Sequence, residues 1–327
     1  MNNSKDSIQG SSSRNGLMQN SFSYTRHIRR RVPRHSDDQA RGSFPSWLHR
    51  KLPASSRFVH THGTIKGNPT VCSEARCPNR VECFSKGTAT FLALGNTCTR
   101  QCGFCDINFS STPSPPDPDE PERILHSVHS LNLSHVVITM VARDDLEDGG
   151  AGHIASILQT LREHRPRTTS EVLVSDLGGS SVALNSVLDA QPTIFNHNIE
   201  TVRPLSRRTR HQATYDRSLG VLSYASGKTQ WVKSGLMVGL GETEEQVRST
   251  IKDLKNVGCR IVTIGQYLQP SHRRFRVREF VSPEKFKEYQ SYGLSIGIPY
   301  MQCGPFVRSS YNAQSVIDEI RNQGTTD

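Results

Sequence analysis

From residue 90 onward, short strand-like runs rich in apolar residues, the fourth carrying polar residues at its end, take turns with stretches of helical periodicity. The runs fall at 90–94, 135–141, 171–175, 193–200, 231–240 and 260–268. Apolar runs of this length without alternation suit strands covered on both faces. Helical patterns occupy 120–131, 152–164, 182–188, 213–226, 243–257 and 283–292. Thr243-Glu-Glu-Gln246 has capping-box spacing, and Ser282-Pro283 puts a cap residue ahead of a first-turn proline. Alternation of this kind predicts six βα units, a parallel sheet and helices outside it. The pattern alone does not separate an open doubly wound sheet from a barrel.

The flanks read differently. Residues 1–43 are rich in Ser, Asn and Arg with few apolar anchors, so they read as a disordered basic tail. An N-terminal extension, 44–89, begins with Phe44 and has Trp47 and Leu48 as packing anchors. Residues 90–295 hold the alternating units, and 296–327 form a C-terminal extension. Pro113 to Pro121 reads as a linker inside the alternating part.

Composition narrows the possibilities. The hydrophobic share is 34% and no apolar run approaches the ~20 residues of a membrane span, so no membrane partner is expected. The net charge is +10, and the first sixty residues carry eleven Lys/Arg against three acids. The run Arg26-His-Ile-Arg-Arg-Arg31 has no nucleic-acid-binding fold around it, so no nucleic acid is expected. A basic body would steer an acidic protein partner toward it. No secretory signal is visible, which makes the cytoplasm the expected compartment. A mitochondrial or plastid location is the alternative, should the Ser- and Arg-rich tail be a transit peptide.

Six of the eight cysteines form two dense triads. Such clustering suits a reducing compartment better than a disulfide scaffold. Cys98, Cys102 and Cys105 are spaced C-x₃-C-x₂-C, directly after the first strand. A [4Fe–4S] cluster takes four ligands, so three thiolates leave one iron free to bind a small molecule. Phe104 can shield one side from water. Cys72, Cys77 and Cys83, spaced C-x₄-C-x₅-C, supply three more thiolates. A zinc site is the alternative at either triad, with His60 or His62 available to complete the upstream one. Cys259 and Cys303 read as buried small hydrophobes.

The spacing at Cys98, Cys102 and Cys105 resembles the cluster loop of radical S-adenosyl-L-methionine (SAM) enzymes. Both triads together resemble the lipoyl synthase family. Glu74-Ala75, Cys77-Pro-Asn-Arg80, Gly87-Thr-Ala-Thr-Phe91 and Gly95-Asn-Thr-Cys98-Thr-Arg100 agree with it, and the likeness runs from about 47 to 313. Asn96 stands where the family usually has Asp, and Gln101 where it often has Arg. Neither supplies a thiolate.

The resemblance implies an α/β fold, a partial (β/α)6 TIM-type barrel whose N- and C-terminal extensions carry an auxiliary cluster. It implies two [4Fe–4S] clusters and SAM as cofactors. One cluster would sit on Cys98, Cys102 and Cys105. The other would sit on Cys72, Cys77, Cys83 and Ser310 of Arg308-Ser-Ser-Tyr311, with the serine bond weak enough to let that cluster open. Gly149, Gly150, Asn198 and Glu200 would contact SAM, with Arg217 and the 239–243 turn as weaker candidates.

The implied reaction inserts two sulfur atoms at C6 and C8 of a protein-bound octanoyl group, with the auxiliary cluster as sulfur donor. Implied partners are octanoylated lipoyl carrier domains, on a 2-oxoacid dehydrogenase E2 or the glycine-cleavage H protein. An electron donor such as ferredoxin or flavodoxin is also implied. The rival readings are another radical SAM sulfur-inserting enzyme, such as a methylthiotransferase, and a non-catalytic iron–sulfur or zinc protein. No RNA-binding module of the kind methylthiotransferases add is visible.

Overall fold

The structure is a computed structural model that describes residues 44–49, 56–86 and 88–323. The basic tail therefore lies outside the described residues. Three helices come first: α1 (Ser56–Thr64), α2 (Val71–Glu74) and α3 (Arg80–Ser85). Strand β1 (Thr90–Ala93) is followed by a two-residue parallel ladder, β2 (Thr97–Cys98) with β3 (Asn108–Phe109). Then come α4 (Glu120–Ser130), β4 (His135–Met140), α5 (Ala151–His164), β5 (Thr169–Leu173), α6 (Ser181–Asp189) and β6 (Ile194–Asn196). The rest is α7 (Arg203–Thr209), α8 (Tyr215–Ser226), β7 (Val232–Val238), α9 (Glu244–Asn256), β8 (Ile261–Gln266), α10 (Pro283–Ser295), β9 (Tyr300–Gly304) and α11 (Ala313–Gln323).

The main sheet has seven strands in the order β1-β4-β5-β6-β7-β8-β9, and every neighbouring pair is parallel. Strands that neighbour in sequence also neighbour in space, and the order never reverses. A doubly wound sheet needs a reversal at its switch point. Its absence, with right-handed crossovers the rule, places the helices on one side and curls the sheet toward a barrel. Among the described residues β1 and β9 are its edges, so the barrel is open.

Burial explains the unbroken apolar runs, since all six residues of β4 and all six of β8 are buried. The predicted caps form: Thr243 and Gln246 make both bonds of a capping box on α9, and Ser282 caps α10. Near the start of the sheet a buried Lys233 Nζ donates to Glu171 Oε2 at 2.9 Å, with Asn196 Nδ2 on Oε1 at 2.7 Å.

Four features differ from expectation. Strand β9 lies in the 296–327 segment, where an extension without a strand was expected; its three last residues are only half-buried, so the apolar signal is short. Helix α7 is unheralded because its sequence, Arg-Pro-Leu-Ser-Arg-Arg-Thr, has almost no apolar face. The strand expected over 193–200 ends at Asn196, and the chain then turns so that Glu200 adopts φ +65°. Of the two N-terminal anchors Leu48 is buried, but Trp47 is 39% exposed.

Candidate functional site

A cavity of about 570 Å³ opens at the carboxyl ends of the strands, where barrels of this kind place their chemistry. All six triad cysteines line it, together with Phe104 and Ser310. All eight cysteines of the chain are free thiols.

The upstream triad is set by two short helices. Thr70 caps α2 through Ser73 N, which holds Cys72 in the first turn. Cys83 rides on α3. Two bonds bring the C-terminal segment to this triad: Asn79 Nδ2 donates to Phe306 O at 2.7 Å, and Tyr311 Oη donates to Glu82 Oε1 at 3.0 Å. Ser310 is carried with them to the cavity wall. His60 and His62 do not line the cavity; the His62 ring packs against Phe58 and Phe84.

The second loop is held at both ends. Thr99 Oγ1 donates to Ala142 O at 2.9 Å. Arg100, nearly buried, reaches Asp144 at 2.5 Å and the fully buried Asp176 at 2.7 Å. Burial works against the Arg100 cation, but its bonds to these carboxylates outweigh burial and raise its pKa. Further along, Gly103 N donates to Thr209 O and Phe275 N to Gly103 O, each at 3.0 Å. A Cβ on Gly103 would lie 2.2 Å from the Phe275 ring, so only glycine lets that ring close over the loop. Asp106 then ties the two cysteine loops together: it meets Arg76 at 3.2 Å, Arg274 at 3.2 Å and Ser271 at 2.7 Å.

The donor set fits iron–sulfur clusters. Cys77 lies close enough to Cys72 and Cys83 for their charges to repel, and Cys102 does the same with Cys98 and Cys105. Burial pushes the Cys72 and Cys105 thiols up to about 12, and Cys83 and Cys102 up to about 11. Such thiols stay protonated at neutral pH until a cation stabilises the thiolate, which is what coordination does. Among the described residues no three His, Cys, Asp or Glu side chains converge on a single ion point. A cubane demands less convergence, because each ligand takes a different iron.

Asn198 and Glu200 also line the cavity. Asn198 Nδ2 donates to Glu200 Oε1 at 3.0 Å, while its Oδ1 accepts from Ser309 Oγ at 2.8 Å. Burial pushes the Glu200 carboxyl up, opposed by Arg210. The buried Arg210 guanidinium donates to Asn198 O at 2.7 Å and Ile199 O at 2.8 Å, fixing the turn that presents both side chains. His197 is structural: its ring bonds Val174 O and Ser218 Oγ, and burial with the Arg210 charge pushes its pKa down to about 4.

Other sequence candidates are not brought to the wall. Gly149 and Gly150 have φ +64° and +87° and do not line the cavity. They turn the chain into α5, and a Cβ on Gly150 would lie 2.4 Å from Leu94 Cδ1. The close approach of Leu94 requires glycine at position 150. The 239–243 turn is a capped connection, with Glu242 accepting from Gly239 N and Leu240 N. Arg217 bonds Asp176 at 3.2 Å. Cys303 lines a separate cavity and Cys259 is buried. Arg100, Asp176, Arg210 and Ser309 were not singled out from sequence as site residues. Their partners lie far along the chain, and no local spacing announces them.

The model of the radical SAM superfamily matches residues 92–254. A lipoyl synthase of Protochlamydia amoebophila is 57% identical over 282 residues, covering 84% of this chain and 87% of that protein. One from Chlamydia trachomatis serovar D is 53% identical over 287 residues, covering 86% and 92%.

The chain belongs to the lipoyl synthase family.

It is accordingly a sulfur-inserting radical SAM enzyme, with SAM and [4Fe–4S] clusters as its cofactors. Two solved structures share the fold at 14% identity. Methylornithine synthase aligns with a TM-score of 0.51 over 71% of this chain and 80% of that one. A maturase of the [FeFe]-hydrogenase aligns at 0.52 over 65% and 50%. At this identity they speak to the fold alone. Among the described residues no helix is long and apolar enough to cross a membrane.

Proposed function

We propose that Cys98, Cys102 and Cys105 hold the SAM-binding [4Fe–4S] cluster and that Cys72, Cys77, Cys83 and Ser310 hold the auxiliary one. The observation that carries this is the single cavity wall shared by both triads and Ser310. When bound, the two clusters and SAM supply the one-electron chemistry and the sulfur needed at unactivated C6 and C8, which no acid or base can reach. Asn198 and Glu200, set by Arg210, receive the polar part of SAM. Asp106 with Arg76 and Arg274 keeps the two cysteine loops in fixed relation. Phe104 and Phe275 exclude water at the second loop. Leu92, Met140, Leu173 and Leu236 offer an apolar lining for the octanoyl chain. Residues 44–89 and 296–327 thus serve the auxiliary cluster, and 90–295 the SAM site.

The carriers would be the E2 lipoyl domain and the glycine-cleavage H protein, the reductant a ferredoxin or flavodoxin, and the compartment the cytoplasm. The test uses anaerobically reconstituted protein, expected to hold roughly eight irons, four per cluster. Cys72→Ala should keep SAM cleavage and lose sulfur insertion into an octanoyl-lysyl peptide, followed by mass spectrometry. Lipoyl product from that variant would refute the donor assignment.

A further inference from the structure

The rim of the cavity carries a group of arginines that the site does not use. Arg207 and Arg208 close α7, and Arg273 and Arg276 lie in the segment that follows β8. All four are exposed. None forms an ion pair with another described residue, whereas Arg274 between them is committed to Asp106. The two segments are neighbours, because Thr209, Gly103 and Phe275 are joined by successive backbone hydrogen bonds and the Arg208 guanidinium lies 5.3 Å over the Phe275 ring. Tyr267, Leu268, Gln269 and Pro270, just upstream of Arg273, line the cavity itself. Asp144, Asp145, Glu147 and Asp148 follow β4, where Asp144 is taken up by Arg100 and Asp145 by Arg143. Glu279 is the one exposed acid within the segment from 271 to 279.

We propose that this arginine collar is the docking surface for the protein that carries the octanoyl group, and that the carrier meets it with a carboxylate-rich face around its acylated lysine. The inference rests on the lipoyl synthase reading and names how that substrate is recognised. A tethered chain can reach the cavity only if its carrier sits on the rim. Exposed arginines without ion-pair partners there attract an acidic face, speed encounter and fix its orientation. A nucleic acid fits less well, because the Phe275 ring is spent on Gly103 and Arg208 and offers no free face for a base.

The experiment compares the reconstituted full chain with Arg273→Glu/Arg276→Glu, and separately with Arg207→Glu. Two substrates are used: an octanoylated carrier domain with acidic residues flanking its lysine, and an uncharged octanoyl-lysyl tripeptide. Titration calorimetry at low and high salt, and KM and kcat, are measured for each. The double variant should bind the carrier roughly tenfold or more weakly at low salt and raise KM with kcat held. Its turnover of the tripeptide should be unchanged, and salt should weaken only the wild type's carrier binding. Equal carrier affinity for wild type and variants overturns the proposal. So does an equal loss on the tripeptide, or binding of an RNA oligonucleotide as tight as the carrier. Failure of the wild type to make product from either substrate would instead overturn the functional reading.

Discussion

Lys233 and Glu171 are both fully buried and pair at 2.9 Å, with Asn196 satisfying the second carboxylate oxygen. Lys233→Met would strand a buried charge, so it should lower stability by about 3–5 kcal/mol in urea unfolding, whereas removing both charges together should cost far less. His135 sits near this pair, and burial chiefly pushes its pKa down to about 4. An unfolded histidine titrates near 6.5. Between those values the unfolded chain binds the proton that the folded chain refuses, so stability from this group rises with pH there and is lost as pH falls from about 6.5 toward 4. His135→Gln should flatten that part of the stability-pH curve by about one proton. An unchanged slope would show that His135 titrates freely. Residues such as these were not readable beforehand: nothing near Lys233 in sequence reveals the carboxylate opposite it, whereas the cysteine triads announce themselves by spacing alone.

The cluster loop and the segment after β8 act as one element pair, joined at Gly103 and again at Asp106. In Gly103→Ala the new Cβ would sit 2.2 Å from the Phe275 ring, so the ring must leave. Overpacking of this kind costs about 1–3 kcal/mol. The expected signature is local: trypsin should cut at Arg273, Arg274 and Arg276 several-fold faster, with a modest shift in the unfolding midpoint. Cleavage at the wild-type rate would mean that other contacts hold the segment. Elements with buried, unbroken runs, such as β4 and β8, were legible because burial on both faces writes itself into the sequence. β9 and α7 were not, since one is a short edge and the other lives by polar contacts. The turn at 197–200 was read as the polar end of a strand because it continues directly from the apolar Ile194 and Phe195. Its geometry comes from Arg210, which arrives from the end of α7 to bind Asn198 O and Ile199 O.

At the scale of the whole molecule, the auxiliary site depends on the chain returning to its start. Asn79 and Phe306 meet across 227 positions of sequence, and Glu82 and Tyr311 across 229. No periodicity within the chain signals such a closure, and Ser310 was reached only through family resemblance. Among the described residues no ladder joins β1 to β9, and the side-chain bonds of Asn79 and Tyr311 help to hold 306–311 against α3. These part-buried hydrogen bonds, one to a backbone carbonyl and one to a carboxylate, are each worth about 0.5–2 kcal/mol when removed. Asn79→Ala/Tyr311→Phe should therefore loosen the C-terminal segment without touching the loop at Cys98, Cys102 and Cys105. Reconstituted iron is expected to fall from roughly eight toward four per chain, with sulfur insertion lost. SAM cleavage to 5′-deoxyadenosine should stay within about twofold, because Arg100, Thr99 and Gly103 still anchor the other loop. If the double variant loaded full iron and inserted sulfur at the wild-type rate, the two long-range bonds would not be what brings the serine to its place.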